Sequence, residues 1–168
     1  LVLLGARATE GAFKRQADRY SVIHFATHGF FNRLNPLLSG VELEPDQDED
    51  GRLEVHEILG LRLHARLVTL SACDTALASG YFAEVPAGDD FVGLTRAFLY
   101  AGSPSILASL WEVNDRSTLR LMTSFYSHLA KTDKATALVE AQRALVREGG
   151  RFSHPYFWGP FVLVGMMN

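Results

Sequence analysis

Ser21-Val22-Ile23-His24-Phe25-Ala26-Thr27-His28-Gly29 decides the fold, together with its counterpart Leu67-Val68-Thr69-Leu70-Ser71-Ala72-Cys73-Asp74-Thr75. Each is a short run of β-branched, aliphatic and aromatic residues, apolar almost throughout, that delivers a reactive side chain at its end. A run apolar on both alternating faces reads as a strand buried on both sides. Val22–Ala26 and Leu67–Ser71 are therefore predicted strands. Val2–Leu4, Ser105–Leu110 and Phe161–Val164 share the pattern and are predicted strands as well.

Between these runs the period changes to that of helices. Thr9–Tyr20 opens on Thr9 as N-cap, and Asp89–Ala101 carries Phe91, Leu94, Phe98 and Leu99 before stopping at Gly102. Asn114–Leu129 places Leu119, Met122, Phe125, Tyr126 and Leu129 on one expected face. Asp133–Arg147 is rich in Ala and Leu and ends at Gly149-Gly150. Strand–helix–strand alternation predicts an α/β domain, a mostly parallel sheet with helices on both faces. Pro36–Val55 breaks the rhythm. Val41–Glu44 and Arg52–Val55 flank an acidic loop closed by Gly51, which predicts a β-hairpin inserted between sheet strands with a solvated tip.

The bulk composition agrees. At 168 residues, 48% hydrophobic and 21% charged, the chain fits a single folded domain. A formal charge of −3, with no run of Lys or Arg longer than two, gives no footprint for nucleic acid or an anionic membrane. One cysteine excludes an internal disulfide and suits a reducing, cytoplasmic setting. Leu1-Val2-Leu3-Leu4 lacks the basic flank and length of a signal core, and no apolar run approaches the ~20 residues of a membrane span. With no Met at its start and a strand at its first residues, the chain is expected to be the C-terminal catalytic part of a longer protein.

In an open parallel sheet, ligands bind beyond the carboxyl ends of the strands. His28-Gly29 and Cys73-Asp74 both fall there. If their strands are neighbours, the two side chains face each other as a Cys–His dyad. A thiol with a pKa near ~8.5 is mostly protonated at neutral pH, so an adjacent imidazole activates it. Backbone N–H groups of Gly29 and Cys73 are candidates for the oxyanion hole. His24, inside its strand, is expected to be a core or supporting histidine. No Cys-x-x-Cys or His-Glu-x-x-His spacing points to metal, and neither a metal nor a cofactor is expected.

His24-Phe25-Ala26-Thr27-His28-Gly29 and Leu70-Ser71-Ala72-Cys73-Asp74-Thr75 resemble the two signature segments of the CHAT domain family, caspase-like and separase-related cysteine peptidases of the clan CD type. The similarity continues through Gly93–Gly102, Ala108–Asp115 and His154–Phe161, in the expected order over essentially the whole chain. The resemblance implies a caspase-like three-layer sandwich and a metal-free Cys73–His28 dyad hydrolysing peptide bonds of a protein substrate. It further implies a bacterial origin, regulated proteolysis or defence, and a regulatory partner such as tetratricopeptide repeats.

Substrate choice rests on acids near the strand ends. Similarity to separase around Trp111-Glu112-Val113-Asn114-Asp115 makes Asp115 the first candidate to hold a basic P1 side chain, and a helix-capping role is the equal alternative. Asp74 and Asp89 are further candidates, although acids opening a helix also complement its dipole. Ser71 stands where metacaspase-like relatives carry an acid, which weakens a simple basic preference. Trp111, Tyr156, Phe157 and Trp158 read as a substrate wall or as core. The rival functional readings are a catalytically silent caspase-like interaction module, and a thiol hydrolase or transferase acting on esters or amides. A Rossmann-type nucleotide domain is excluded by the absence of a glycine fingerprint after Val2–Leu4.

Overall fold

The computed structural model of the chain describes residues 1–32, 34–71, 89–111 and 113–168, and side chains throughout these except for 89–92. Cys73, Asp74 and the Asp89 side chain lie outside the described residues.

Among the described residues, four strands form the central sheet: β1 (Val22–Phe25), β5 (Leu67–Leu70), β6 (Ser105–Ser109) and β7 (Phe161–Gly165), in that order. β1, β5 and β6 run parallel, and β7 closes the far edge antiparallel to β6. Every residue of β5 and β6 is buried, as their unbroken apolar runs require. On one face Val68, Leu70, Ile106 and Ala108 pack with Leu94, Ala97, Phe98 and Ala101 around α3 (Asp89–Tyr100). On the other face Leu67 and Leu107 meet α4 (Asp115–Leu129) and α5 (Lys134–Glu148) through Leu121, Phe125, Ala137, Ala141 and Leu145. This is the three-layer α/β sandwich that the alternation predicted.

The helix ends follow the sequence signals. Thr9 Oγ1 accepts the Ala12 N–H, Asn114 caps α4, and Asp133 accepts the Thr136 N–H at 2.8 Å to start α5. Gly102 stops α3 with φ near +114°, where an added Cβ would lie 2.6 Å from the Leu63 carbonyl oxygen. The predicted first helix is shorter than its pattern. α1 covers only Glu10–Lys14, and a 3-10 turn follows at Ala17–Arg19.

Two expectations are corrected. Val2–Leu4 is not a strand: Leu1, Val2 and Leu4 are about two-thirds exposed, and among the described residues no ladder pairs them with a neighbour, so apolar composition alone does not make an extended segment a strand. Leu119 is 69% exposed and off the apolar stripe of α4. Ser117, Leu121 and Phe125 repeat at i, i+4 along the buried face, and a residue midway between two of them points to the opposite side.

The inserted hairpin is present as β3 (Gly40–Glu42) and β4 (Arg52–Glu54), antiparallel, and leads directly into a short helix α2 (Val55–Ile58). A further strand, β2 (Gly29–Phe30), adds to β3, so the insertion is a separate three-stranded sheet beginning immediately after His28. Its tip is not merely solvated. Lys14 of α1 reaches Glu49 in the tip at 2.8 Å and Glu57 of α2 at 2.7 Å, and pairs with fully buried Glu10, whose other oxygen accepts the Gly51 N–H. Burial pushes the Glu10 carboxyl above the usual range. Burial works against the Lys14 charge too, but the hydrogen bonds it donates to three carboxylates outweigh it and hold the ammonium above the usual lysine range. The cluster fastens the second sheet to the first helix. Among the described residues, no helix is long and apolar enough to cross a membrane.

Candidate active site

β1 and β5 are adjacent and in register, Phe25 opposite Leu70. Their ladder is still closed at Ser71, whose N–H donates to the Phe25 carbonyl at 2.9 Å. β1 therefore delivers His28 three residues past its end, and Ser71 lies two residues before Cys73 in sequence. The neighbour relation on which the dyad depends is met.

The backbone around His28 is fixed by β3. The Glu42 N–H donates to the His28 carbonyl at 2.7 Å, and Thr27 Oγ1 donates to the Glu42 carbonyl at 2.6 Å. Gly29 stands opposite Val41. With the hydrogen bond falling one residue outside that pair, Gly29 and Val41 form a non-hydrogen-bonded pair, so the Gly29 N–H turns away from β3. It is a donor aimed off the sheet edge beside an exposed His28 imidazole. An oxyanion-hole donor needs that geometry.

His24 plays a different part. It stands opposite Thr69 in the ladder, and both side chains face α4. Tyr126 links them: its hydroxyl lies 2.9 Å from Thr69 Oγ1 and 3.0 Å from His24 Nδ1. The His24 ring is reachable from a groove, yet walled on its other side by Tyr126, ring centroids 5.7 Å apart. That walling lowers the pKa of His24 below its ordinary value, and burial raises that of the Tyr126 hydroxyl against the opposing bond to Thr69. Tyr126 was read from sequence as one more apolar-face residue; its partnership with a strand histidine 102 positions away carries no local signal.

A histidine whose folded pKa is depressed gives stability that is complete above its unfolded value, near 6.5, and lost as the pH falls through the folded one. Urea midpoints measured from pH 7.5 to pH 5 should fall on the acid side, and His24→Gln should flatten that part of the profile. An unchanged profile in the variant would remove His24 from the account.

Asp115 is exposed at the first position of α4, and Asn114 does the capping, its side chain accepting from Arg116 and Ser117 N–H groups. Among the described residues the Asp115 carboxylate makes no ion pair. The two readings of Asp115 thus separate: the cap belongs to its neighbour. Trp111 lies just past β6, half-buried, and donates Nε1–H to the Tyr156 carbonyl at 3.1 Å. Phe157 is core, Tyr156 is 47% exposed, and His154 caps the turn at Pro155–Phe157. Two groups of described side chains bring three potential metal ligands together, Glu10–Glu49–Glu57 and Glu54–His56–Glu57; in the first, the Lys14 ammonium already lies among the carboxylates.

A mostly parallel sheet between two helical layers, with a histidine beyond the end of one strand and a cysteine in the sequence beyond its neighbour, defines a caspase-like α/β domain. The sequence model of the CHAT domain family matches residues 1–166, and the chain belongs to that family. It is similar to tetratricopeptide repeat protein 28 of Homo sapiens, 33% identical over 201 aligned positions that cover 97% of this chain and 8% of that protein. The Mus musculus protein of the same name is 35% identical over 113 residues, covering 67% of this chain and 4% of that one. The chain thus spans less than a tenth of the length of these relatives, both mammalian, which lend no support to the bacterial origin implied by the resemblance.

Proposed function

We propose that the chain is a cysteine endopeptidase acting on a protein substrate through Cys73 and His28. The observation that carries this reading is the in-register adjacency of β1 and β5, with the ladder closed up to Ser71. The Cys73 thiolate attacks the scissile carbonyl carbon, and the oxyanion is received by the N–H groups of Gly29 and Cys73. The tetrahedral intermediate collapses as the C–N bond breaks, and His28 gives the proton taken from the thiol to the leaving amine. Water, deprotonated by His28, then attacks the thioester, releasing the acid and restoring the thiol. The reaction needs no metal or cofactor, and a reduced thiol fits a cytoplasmic setting.

The test is a positional-scanning peptide library cleaved by the chain, with Cys73→Ala alongside. For P1, exposed Asp115, relieved of capping by Asn114, is the first candidate to pair with Arg or Lys, and Asp74 and Asp89 are the next. Asp115→Asn should raise KM for an Arg-P1 peptide, lowering kcat/KM about tenfold for a lost charge-assisted pair. The value for an apolar P1 should stay within twofold of the parent. Equal loss on both peptides would discard Asp115 as the selective acid.

The name of the mammalian relatives supports an association with tetratricopeptide repeats, which would present substrate or gate the cleft. It also keeps a second reading in view, a caspase-like interaction module without catalysis, which the same library separates.

A further inference from the structure

The backbone at His28 is held by β3, through the Glu42 N–H and the Glu42 carbonyl. Among the described residues β2, β3 and β4 share no ladder with the central sheet. Whatever places β3 relative to β1 therefore also places His28 and the Gly29 N–H. One contribution is apolar: Val41 and Leu53, fully buried, join the core that contains Phe25 and Phe98. Apolar burial is non-directional, so it leaves the aim of the strand to other contacts. Those come from α1. Thr9 and Glu44 form a parallel bridge, in which the Glu10 N–H donates to the Glu44 carbonyl at 3.1 Å and the Glu44 N–H to the Ala8 carbonyl at 3.0 Å. Lys14 completes the attachment by pairing with Glu10 on its own helix, Glu49 in the hairpin tip and Glu57 on α2. No other described cation pairs with any of the three. The tip is shaped for this contact. Asp46 Oδ1 accepts the Asp48 and Glu49 N–H groups at 3.1 and 3.2 Å, and Asp46 lies so close over Gly11 that an added Cβ would overlap its Oδ2.

From this chain of contacts we infer that Lys14 is a positioning residue of the candidate active site: through Glu10, Glu49 and Glu57 it sets β3, and β3 sets His28 and the Gly29 N–H. The inference rests on the reading of Cys73 and His28 as the catalytic pair. It gives the Lys14 cluster a task beyond holding two sheets together. A shift of about 1 Å in a catalytic group costs up to ~100-fold in rate. A loosened attachment that the apolar core still supports should cost less, about tenfold.

The test compares the parent chain with three variants, by peptide cleavage and by amide exchange at Glu42, the residue whose N–H holds the His28 carbonyl. Glu49→Gln removes one partly exposed carboxylate and leaves the Glu10–Lys14 pair in place. Glu10→Gln/Lys14→Met removes the buried charge together with its partner, so that no carboxylate is stranded. Gly11→Ala keeps every charge and favours the helix by itself, yet displaces Asp46 and the tip from α1. Each should lower kcat about tenfold with KM within about twofold, and speed Glu42 exchange about tenfold. Leu145→Val, in the layer on the other face of the sheet, should lower the urea midpoint and leave both readouts within about twofold. Unchanged Glu42 exchange in Glu49→Gln and Gly11→Ala would overturn the proposal. So would a loss of kcat that Leu145→Val reproduces. A parent no more active than Cys73→Ala would remove the catalytic reading instead, and Glu42 exchange would still decide whether Lys14 places the backbone at His28.

Discussion

Replacing Cys73 with alanine is expected to lower kcat/KM for peptide cleavage by roughly 10⁴-fold or more, because without the sulfur no covalent step remains. His28→Ala should cost nearly as much at neutral pH, and the double variant little more than either, since a nucleophile and its base act as one unit. The two single variants part company as the pH rises. A thiol titrating near ~8.5 forms thiolate by itself in alkali, so His28→Ala regains part of its attack rate toward pH 9, measured by burst-phase acylation, while Cys73→Ala stays inert. An electrophilic probe gives the same division without a substrate: labelling of Cys73 should be fast in the parent and about tenfold slower or more in His28→Ala at pH 7. Wild-type cleavage indistinguishable from Cys73→Ala, together with a Cys73 no more reactive than an ordinary thiol, would leave the interaction module as the function.

The sheet was legible because burial on both faces erases alternation. Leu67–Leu70 and Ser105–Ser109, buried at every residue, could hardly be read otherwise. Caps were legible because Thr9, Asn114 and Asp133 act within three residues of themselves. Val2–Leu4 misled for the converse reason. A strand is a relation between two segments, and an apolar run states only that one of them is willing. The site divides along the same line. That His28 follows β1 was visible, and Cys73 comes two residues after Ser71, where the ladder to β1 closes. The two-residue strand Gly29–Phe30, which turns the Gly29 N–H away from β3, is set by its partner in the hairpin and has no signature of its own length. The Lys14 cluster joins positions 10, 14, 49 and 57, and the Thr69–Tyr126–His24 chain joins three elements; both are products of tertiary packing. The acidic tip looked solvated because the cation that meets Glu49, Lys14, lies 35 residues away in sequence.

The largest stability effect is expected at Phe125. Its ring is fully buried at the centre of the layer between the sheet and the α4–α5 pair, against Leu67, Leu107, Leu121, Ala141 and Leu145, and edge-on to Tyr126 at 5.1 Å. Small neighbours such as Ala137 and Ala141 cannot swing inward to fill the space, so Phe125→Ala should leave a cavity and cost about 3–5 kcal/mol. Against a total stability of roughly 5–15 kcal/mol, that is enough to leave the chain marginal or unfolded at 37 °C. Leu119→Ala, on the same helix but 69% exposed, should change stability by no more than about 0.5 kcal/mol. The pair is measured by urea unfolding, and a cost below about 1.5 kcal/mol for Phe125→Ala would mean that α4 does not close this face of the sheet. The consequence reaches the candidate site, because Phe125 adjoins Tyr126 and Tyr126 holds His24 on β1. Phe125→Leu, which keeps most of the volume, should lose less than about 1.5 kcal/mol and keep the acid-side pH profile of the parent. If the milder variant also flattened that profile, the packing of α4 would be setting the environment of His24 as well as closing the core.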